Sequence, residues 1–89
     1  MPKVTIYTTA FCSYCLSAKA LLRRKNVEFA EIDVGYDVEE RRRMMAKAHG
    51  RRTVPQIFIG ETHVGGSDEL HALDRQGKLD PLLAGAAPA

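Results

Sequence analysis

Cysteine is scarce in this chain, and long hydrophobic runs are absent. Only two cysteines occur in 89 residues, which is too few for the dense disulfide framework of a small secreted domain. No stretch approaches the ~18–20 consecutive apolar residues of a membrane-spanning helix. Lys3 and Thr5 interrupt the first hydrophobic stretch, so no secretory leader is predicted. We therefore expect a protein of the reducing cytoplasm that makes no contact with a membrane.

Net charge is also low, at +2. The basic residues nevertheless cluster at positions 23–25, 41–43 and 51–52. Aromatic residues do not alternate with them, as a stacking platform for nucleic-acid bases would require. The clusters are therefore typical of solvated helix faces and ends, or of a surface that attracts small anionic substrates. Nucleic acid is not an expected partner.

What the chain does contain is one C-x-x-C pair, Cys12 and Cys15, between a strand-like run and a helix-like run. A thiol in the first turn of a helix meets unpaired backbone N–H groups and the positive end of the helix dipole. Both favour the thiolate, which is the nucleophilic form. Cys12 is therefore the predicted nucleophile. Cys15 follows one helical turn later, close enough to form a disulfide with Cys12.

An inert buried cysteine pair and a structural zinc site are the other interpretations of these residues. Zinc would require four ligands, and the three histidines, His49, His63 and His71, lie far from the pair in the sequence. We therefore expect no metal site. An isolated C-x-x-C in a reducing compartment indicates catalysis rather than structure.

Hydrophobic periodicity predicts a strand–helix–strand unit in the first half. Residues 4–7 and 27–34 alternate as strands, and residues 13–25 between them have helical spacing. A unit of this kind implies parallel strands joined by a right-handed crossover. One face of the helix carries apolar residues, namely Cys15, Ala18, Leu21 and Leu22.

The second half predicts a helix, a hairpin and another helix. Asp37 is a typical N-cap for a charged helix that ends near Ala48. Residues 53–60 and 62–64 form the predicted hairpin, and a last helix runs to about Arg75. The narrow apolar side of the charged helix consists of Val38, Met44, Met45 and Ala48.

The predicted order is β-α-β-α-β-β-α, in one α/β domain of residues 1–84 with a flexible tail of residues 85–89. Leu79, Leu82 and Leu83 suggest a short docked turn before the tail. A C-x-x-C beside a βαβ unit is typical of thioredoxin-like redox proteins.

Three motifs make the resemblance more specific. The chain contains Cys12-Ser13-Tyr14-Cys15, then Thr53-Val54-Pro55 about forty residues later, then Gly65-Gly66-Ser67-Asp68. With this combination the chain resembles the glutaredoxins, and among them the short bacterial dithiol type, over almost its full length. The resemblance implies a thioredoxin fold with a four-stranded mixed sheet, helices on both faces, and a cis Pro55 opposite the cysteines.

The resemblance also implies a glutathione site, with glutathione as co-substrate. Cys12 would meet the glutathione sulfur, and the Val54 main chain would pair with the cysteinyl backbone. The N–H groups of Ser67 and Asp68 would hold the γ-glutamyl carboxylate, and the Asp68 side chain its ammonium group. The residues that would line the groove are Tyr14, Thr53, Val54, Pro55, Gly66, Ser67 and Asp68.

Two positions depart from the pattern of many relatives. Thr9 stands where many carry a lysine, which would favour the thiolate and the glycine carboxylate of glutathione. Arg51 or Arg52 is a candidate substitute for that charge. Ser13 stands where many carry proline. Serine in this position leaves the active-site turn less rigid than proline would.

Three functions follow from this resemblance. The first is a monomeric, glutathione-dependent oxidoreductase that reduces protein disulfides and protein–glutathione mixed disulfides through Cys12 and Cys15. The alternative is a carrier of a 2Fe–2S cluster as a glutathione-ligated dimer, which the small Ser13 favours. A thioredoxin-like protein reduced by a flavoenzyme is the third, but the W-C-G-P-C pattern is absent, and Phe11 and Ser13-Tyr14 stand in its place.

Overall fold

A four-stranded sheet with the order β2-β1-β3-β4 forms the centre of the computed structural model, which describes residues 2–85. The strands are β1 (Val4–Thr8), β2 (Phe29–Asp33), β3 (Gln56–Ile59) and β4 (Thr62–Gly65). The helices are α1 (Ser13–Arg24), α2 (Val38–Lys47), α3 (Ser67–Arg75) and α4 (Leu79–Leu83). Of the predicted tail, residues 86–89 lie outside the described residues.

The sheet is mixed, as the sequence predicted. β1 pairs in parallel with β2, with Val4 opposite Phe29, and antiparallel with β3, with Val4 opposite Ile59. β3 and β4 form the expected antiparallel hairpin. The thioredoxin fold that the motifs implied is therefore present, and the peptide bond between Val54 and Pro55 is cis.

Alternation along the strands divides the core between the two faces of the sheet, because successive strand side chains point to opposite sides. On one face, Ile6 and Ile57 pack with α1, α3 and α4. On the other, Tyr7 and Phe58 pack with Met44 of α2. All four apolar residues predicted for the inner face of α1 are buried, and this fixes the orientation of the helix that carries both cysteines.

The ends of the first two helices follow their local chemistry. Asp37 is the N-cap of α2, where its Oδ1 accepts the Glu40 N–H at 3.0 Å. Asn26 after α1 and His49 after α2 both adopt a left-handed backbone, with φ of 58° and 57°. Gly50 follows with φ of 86°, which costs least for a residue without a Cβ.

Two expectations differ from the structure. Val38 is 70 % exposed, because it lies six residues before Met44 and therefore about a third of a turn from the buried face of α2. Residues 53–55 precede β3 rather than belonging to it, since the loop bonds to Gln56 instead of to a neighbouring strand. The docked turn expected near the C-terminal end is present as the short helix α4.

Candidate active site

Cys12 occupies the N-cap of α1. Its Sγ accepts the backbone N–H of Cys15 at 3.1 Å, and the sulfur is partly exposed. The preceding Phe11 has a left-handed backbone with φ of 58° and a fully exposed ring. The sulfur therefore lies at the helix start beside a backbone donor, which is the position that the sequence predicted for Cys12.

Cys15 lies in a very different environment, although it is only three residues away. It is 1 % exposed and faces the core, and both cysteines are free thiols. Burial raises the pKa of the Cys15 thiol to about 12, with a further contribution from its hydrogen bond with Cys12. At neutral pH the pair therefore has one accessible sulfur and one protonated, buried thiol in reserve.

A groove of about 140 Å³ opens beside the cysteines. Its lining includes every predicted groove residue, namely Tyr14, Thr53, Val54, Pro55, Gly66, Ser67 and Asp68. These residues come from the start of α1, the loop before β3 and the start of α3. Cys12 is not part of the lining, but its Sγ lies 4.0 Å from the Val54 carbonyl oxygen at the edge of the groove.

Gln56 anchors the loop that carries Thr53 and Val54. Its side chain is fully buried, and Nε2 donates to the Thr53 carbonyl oxygen at 3.0 Å and contacts Thr53 Oγ1 at 3.3 Å. Its Oε1 lies 2.7 Å from His63 Nε2. Because every polar atom of this buried amide has a partner, the loop is held against the sheet.

An ion pair closes the groove at the start of α3. Arg51 Nη1 lies 2.6 Å from Glu69 Oε1, and the same oxygen accepts the Gly66 N–H at 3.0 Å. The hydrogen bond from the Gly66 N–H is the main cause that holds the pKa of Glu69 below its usual range, and the hydrogen bond from Arg51 is the second. The carboxylate therefore stays charged near neutral pH and fixes both the glycine and the arginine.

The side chain of Ser67 turns away from solvent. Ser67 is 5 % exposed, and His71 Nδ1 lies 2.8 Å from its carbonyl oxygen and 3.3 Å from its Oγ. The first N–H groups of a helix have no intrahelical acceptor. Ser67 and Asp68, the first two residues of α3, thus offer backbone donors to the groove.

Sequence reasoning missed three residues that shape the site, namely Glu69, Gln56 and His71. Arg51, one of the two candidates for the missing charge, does line the groove. Glu69 was accessible from the sequence, since a Glu at the third helical position is a capping-box signal. Arg52 does not line the groove, and its carbonyl oxygen accepts the Arg41 guanidinium at 3.2 Å.

Neither a metal cluster nor a membrane helix is found among residues 2–85. No group of three or more His, Cys, Asp or Glu side chains there could hold a metal ion. None of the described helices has both the length and the apolar character needed to cross a bilayer.

Comparison with known proteins agrees with this geometry. The glutaredoxin family model matches residues 4–64. The chain is 61% identical over 84 residues to a glutaredoxin of Pseudomonas aeruginosa, covering 94% of this chain and 99% of that one.

Two solved structures share the fold. The solution structure of a glutaredoxin from Brucella melitensis is similar with a TM-score of 0.81 and 55% identity, covering 93% of this chain and 89% of that one. The crystal structure of the buckwheat glutaredoxin–glutathione complex is similar with a TM-score of 0.83 and 28% identity, covering 93% and 77%. The chain therefore belongs to the glutaredoxin family and is a thiol–disulfide oxidoreductase.

Proposed function

We propose that this chain uses glutathione to reduce protein disulfides and protein–glutathione mixed disulfides through Cys12 and Cys15. The observation that carries the proposal is the position of Cys12. Its partly exposed sulfur caps α1 and lies 4.0 Å from the Val54 carbonyl oxygen, at the edge of the groove. A nucleophile is thereby adjacent to a site with backbone donors and acceptors.

The reaction proceeds by thiol–disulfide exchange. The Cys12 thiolate attacks the glutathione sulfur of a mixed disulfide, the new bond joins Cys12 to glutathione, and the protein sulfur leaves as a thiolate. A second glutathione thiolate attacks that bond, releasing oxidised glutathione and the Cys12 thiolate. With a protein disulfide, Cys12 first attacks one of its sulfurs, which forms a Cys12–protein mixed disulfide and releases the other sulfur as a thiolate. Cys15 then attacks the Cys12 sulfur, and the second protein sulfur leaves as a thiolate. The Cys12–Cys15 disulfide forms, and two glutathione molecules later reduce it.

The groove suits an extended, anionic tripeptide. Val54 is half-buried in the groove lining, and its main chain can pair with a peptide backbone as a strand edge does. The N–H groups of Ser67 and Asp68 suit a carboxylate. Asp68 is exposed and can accept an ammonium group. A Cβ at Gly66 would lie 3.5 Å from the Pro55 carbonyl oxygen, which is an ordinary van der Waals contact. The buckwheat complex supports glutathione as the ligand.

Two cysteine variants test the proposed division of labour. Cys12→Ser should abolish turnover of both a small glutathione mixed disulfide and a protein disulfide. Cys15→Ser should keep turnover of the mixed disulfide and lose most reduction of the protein disulfide. The measurement is glutathione-coupled reduction of hydroxyethyl disulfide beside reduction of a protein disulfide. Equal losses in the two assays for Cys15→Ser would contradict the proposal.

The hydroxyethyl disulfide assay also separates glutathione from a flavoenzyme as the reductant. A glutathione-dependent enzyme turns over when glutathione and its reductase are the only source of electrons. Turnover only with a thioredoxin reductase would overturn this proposal. The reducing cytoplasm is the compartment we propose, because glutathione keeps thiols reduced there.

Cluster transfer is the second candidate, and Ser13 is the feature that favours it. A small residue beside the partly exposed Cys12 leaves room for a cluster ligated by Cys12 and glutathione on two chains. Anaerobic reconstitution with iron, sulfide and glutathione should then give a brown dimer with visible absorbance. A colourless monomer would exclude this role.

A further inference from the structure

A second cavity, of about 170 Å³, lies at the cysteines and contains charged groups. It shares no lining residue with the groove. The two thiols meet there with Lys19 of α1 and with Glu31 and Asp33 of β2. The proposed function uses none of these charged residues.

Lys19 is unusually buried for a lysine, with a side chain only 15% exposed. Its Nζ lies 2.9 Å from Glu31 Oε2, and the buried Thr8 donates its hydroxyl to the same oxygen at 2.7 Å. The hydrogen bond from Lys19 is the main cause that holds the pKa of Glu31 below its usual range, and the hydrogen bond from Thr8 is the second. The carboxylate therefore stays charged and fixes the ammonium group beside the cysteines.

Lys19 also follows Cys15 by four residues on α1, which places the two side chains on the same face of the helix. We propose that Lys19 stabilises the thiolate of Cys15 while it attacks Cys12, and that Glu31 and Thr8 are the positioning residues that hold Lys19 there. This inference rests on the proposed function and assigns charged residues to its protein-disulfide branch.

The need for such a cation follows from burial. Burial raises the pKa of Cys15 to about 12, so little thiolate is present at neutral pH. A hydrogen bond with the Thr9 backbone and, to a smaller extent, the Lys19 charge act in the opposite direction and lower that pKa. Asp33 faces the same cavity, but its Oδ1 accepts the Gly35 N–H at 2.7 Å. Among the residues that the structure describes, Lys19 is the one cation lining this cavity.

The atoms balance without any additional reactant. Cys15 releases its proton to solvent, and its thiolate attacks the Cys12 sulfur of a mixed disulfide. The Cys12–Cys15 bond forms, the bond from Cys12 to the substrate sulfur breaks, and the substrate sulfur leaves as a thiolate that takes a proton from solvent. The substrate is reduced and the cysteine pair is oxidised. Glu31 does not take the proton, because its lowered pKa makes it a weak base.

A chromogenic aromatic disulfide, 5,5′-dithiobis(2-nitrobenzoate), resolves this step in stopped flow. Attack by Cys12 releases the first coloured thiolate, and attack by Cys15 releases the second. Lys19→Met should slow the second release about tenfold at pH 7 and move its pH–rate profile to higher pH, since a nearby charge is lost. Lys19→Arg should restore most of the rate. Glu31→Gln, which keeps the side-chain shape, should slow the second release by a smaller factor.

Lys25→Met, at the C-cap of the same helix, is the matched control. Lys25 bridges Asp74 and Asp80 at 2.7 and 3.0 Å, so its loss removes ion pairs of similar kind without approaching the cavity. The proposal is overturned if Lys19→Met and Lys25→Met give second-release rates within twofold of each other. It is also overturned if Lys19→Met slows both releases equally. Should Lys19→Met fail to fold, an unchanged second release in Glu31→Gln would overturn it.

The reagent contains no glutathione, so the two proposals can fail separately. If wild-type protein releases both coloured thiolates and Lys19→Met slows only the second, the role of Lys19 is supported even where hydroxyethyl disulfide reduction with glutathione fails. If glutathione turnover succeeds and the second release is insensitive to Lys19, only the present inference fails.

Discussion

Two identical side chains three residues apart acquire opposite properties in this protein. Cys12 is partly exposed at a helix cap, whereas Cys15 is buried, and burial raises its pKa to about 12. The difference arises from position on α1, because the cap residue points out of the helix start and the residue one turn later faces the sheet. Such asymmetry suits a pair in which one sulfur attacks first and the other resolves.

A second residue-scale feature is the contact between His49 and His63. Their Nδ1 atoms are 3.2 Å apart, and His63 stacks on Phe58 with ring centroids 4.9 Å apart. Burial is the largest cause that lowers the pKa of His63, and the charges of the neighbouring His49 and Arg51 lower it further. A proton on His63 is therefore less favourable in the folded chain than in the unfolded one.

This shift predicts acid destabilisation. The unfolded chain binds the His63 proton near pH 6.5, and the folded chain binds it at lower pH. The free energy of unfolding should therefore fall as the pH drops from about 7 toward 5. His63→Gln should remove this loss, and His49→Asn should reduce it only in part because burial is the larger cause. Thermal melts at pH 7.5, 6.5 and 5.5 measure the effect.

The carboxylates with lowered pKa values change their charge in a lower pH range, so they do not contribute to the pH dependence assigned to His63. The pKa of Glu31 and that of Glu69 are both lowered from 4.5. Their stabilising contribution is present above about pH 4.5 and is lost as the pH falls below it. A melting temperature of His63→Gln that still drops as steeply as wild type between pH 7.5 and 5.5 would contradict the assignment to His63.

At the scale of elements, the groove is built where three chain segments end or begin. The start of α1, the loop before β3 and the start of α3 supply its lining. Gln56 holds the loop, and Glu69 holds both Arg51 and the Gly66 N–H. The turn between β4 and α3 must therefore pass close to the Arg51–Glu69 pair.

Gly65 is the residue at which this close approach has an energetic cost. Its φ is +109°, and a Cβ there would lie 2.5 Å from Glu69 Oε1 and 2.9 Å from Arg51 Nη1. Gly65→Ala should therefore lower the free energy of unfolding by about 1–3 kcal/mol, from backbone strain together with displacement of the ion pair. Urea titration measures the loss.

Two other glycines separate these causes. Gly77 has φ of +70°, and a Cβ there would meet no atom within 4 Å, whereas Gly66 has φ of −94° and the nearest contact of a Cβ would be 3.5 Å. Gly77→Ala should show the backbone cost alone, and Gly66→Ala should be the mildest of the three. If Gly77→Ala is as destabilising as Gly65→Ala, the ion-pair collision contributes nothing.

At the scale of the whole molecule, the cysteines lie beyond the C-terminal end of a central strand of the sheet. β1 is a central strand, bonded to both β2 and β3, and α1 starts just beyond its C-terminal end. Phe11, Tyr14 and Leu16 are exposed there, at 106%, 63% and 61%. These apolar side chains are close to Cys12 in the chain. A permanent subunit interface formed by them would therefore cover the sulfur.

We therefore expect the reduced, cluster-free protein to be a monomer. Size-exclusion chromatography with light scattering should give a mass of about 9.9 kDa, unchanged over a tenfold range of concentration. A mass twice as large would mean that the exposed apolar residues form an interface, and the proposed access of protein substrates to Cys12 would then fail.

The sequence alone determined the order of the elements, the parallel β1–β2 pairing and the position of Cys12 at the start of α1. These follow from short-range information, since periodicity, caps and motif spacing depend on residues close together in the chain. Val38 shows the limit of such patterns, because an apolar residue in the first turn of a helix can lie away from the buried face and contact solvent.

Only the tertiary structure decided which charges meet. Lys19 with Glu31, Arg51 with Glu69, and Gln56 with His63 are contacts between different elements. Their partners depend on how α1 crosses the sheet and where the loop before β3 is anchored, which no local pattern encodes. The burial that raises the pKa of Cys15 belongs to the same class, because it exists only once α1 is packed against the sheet.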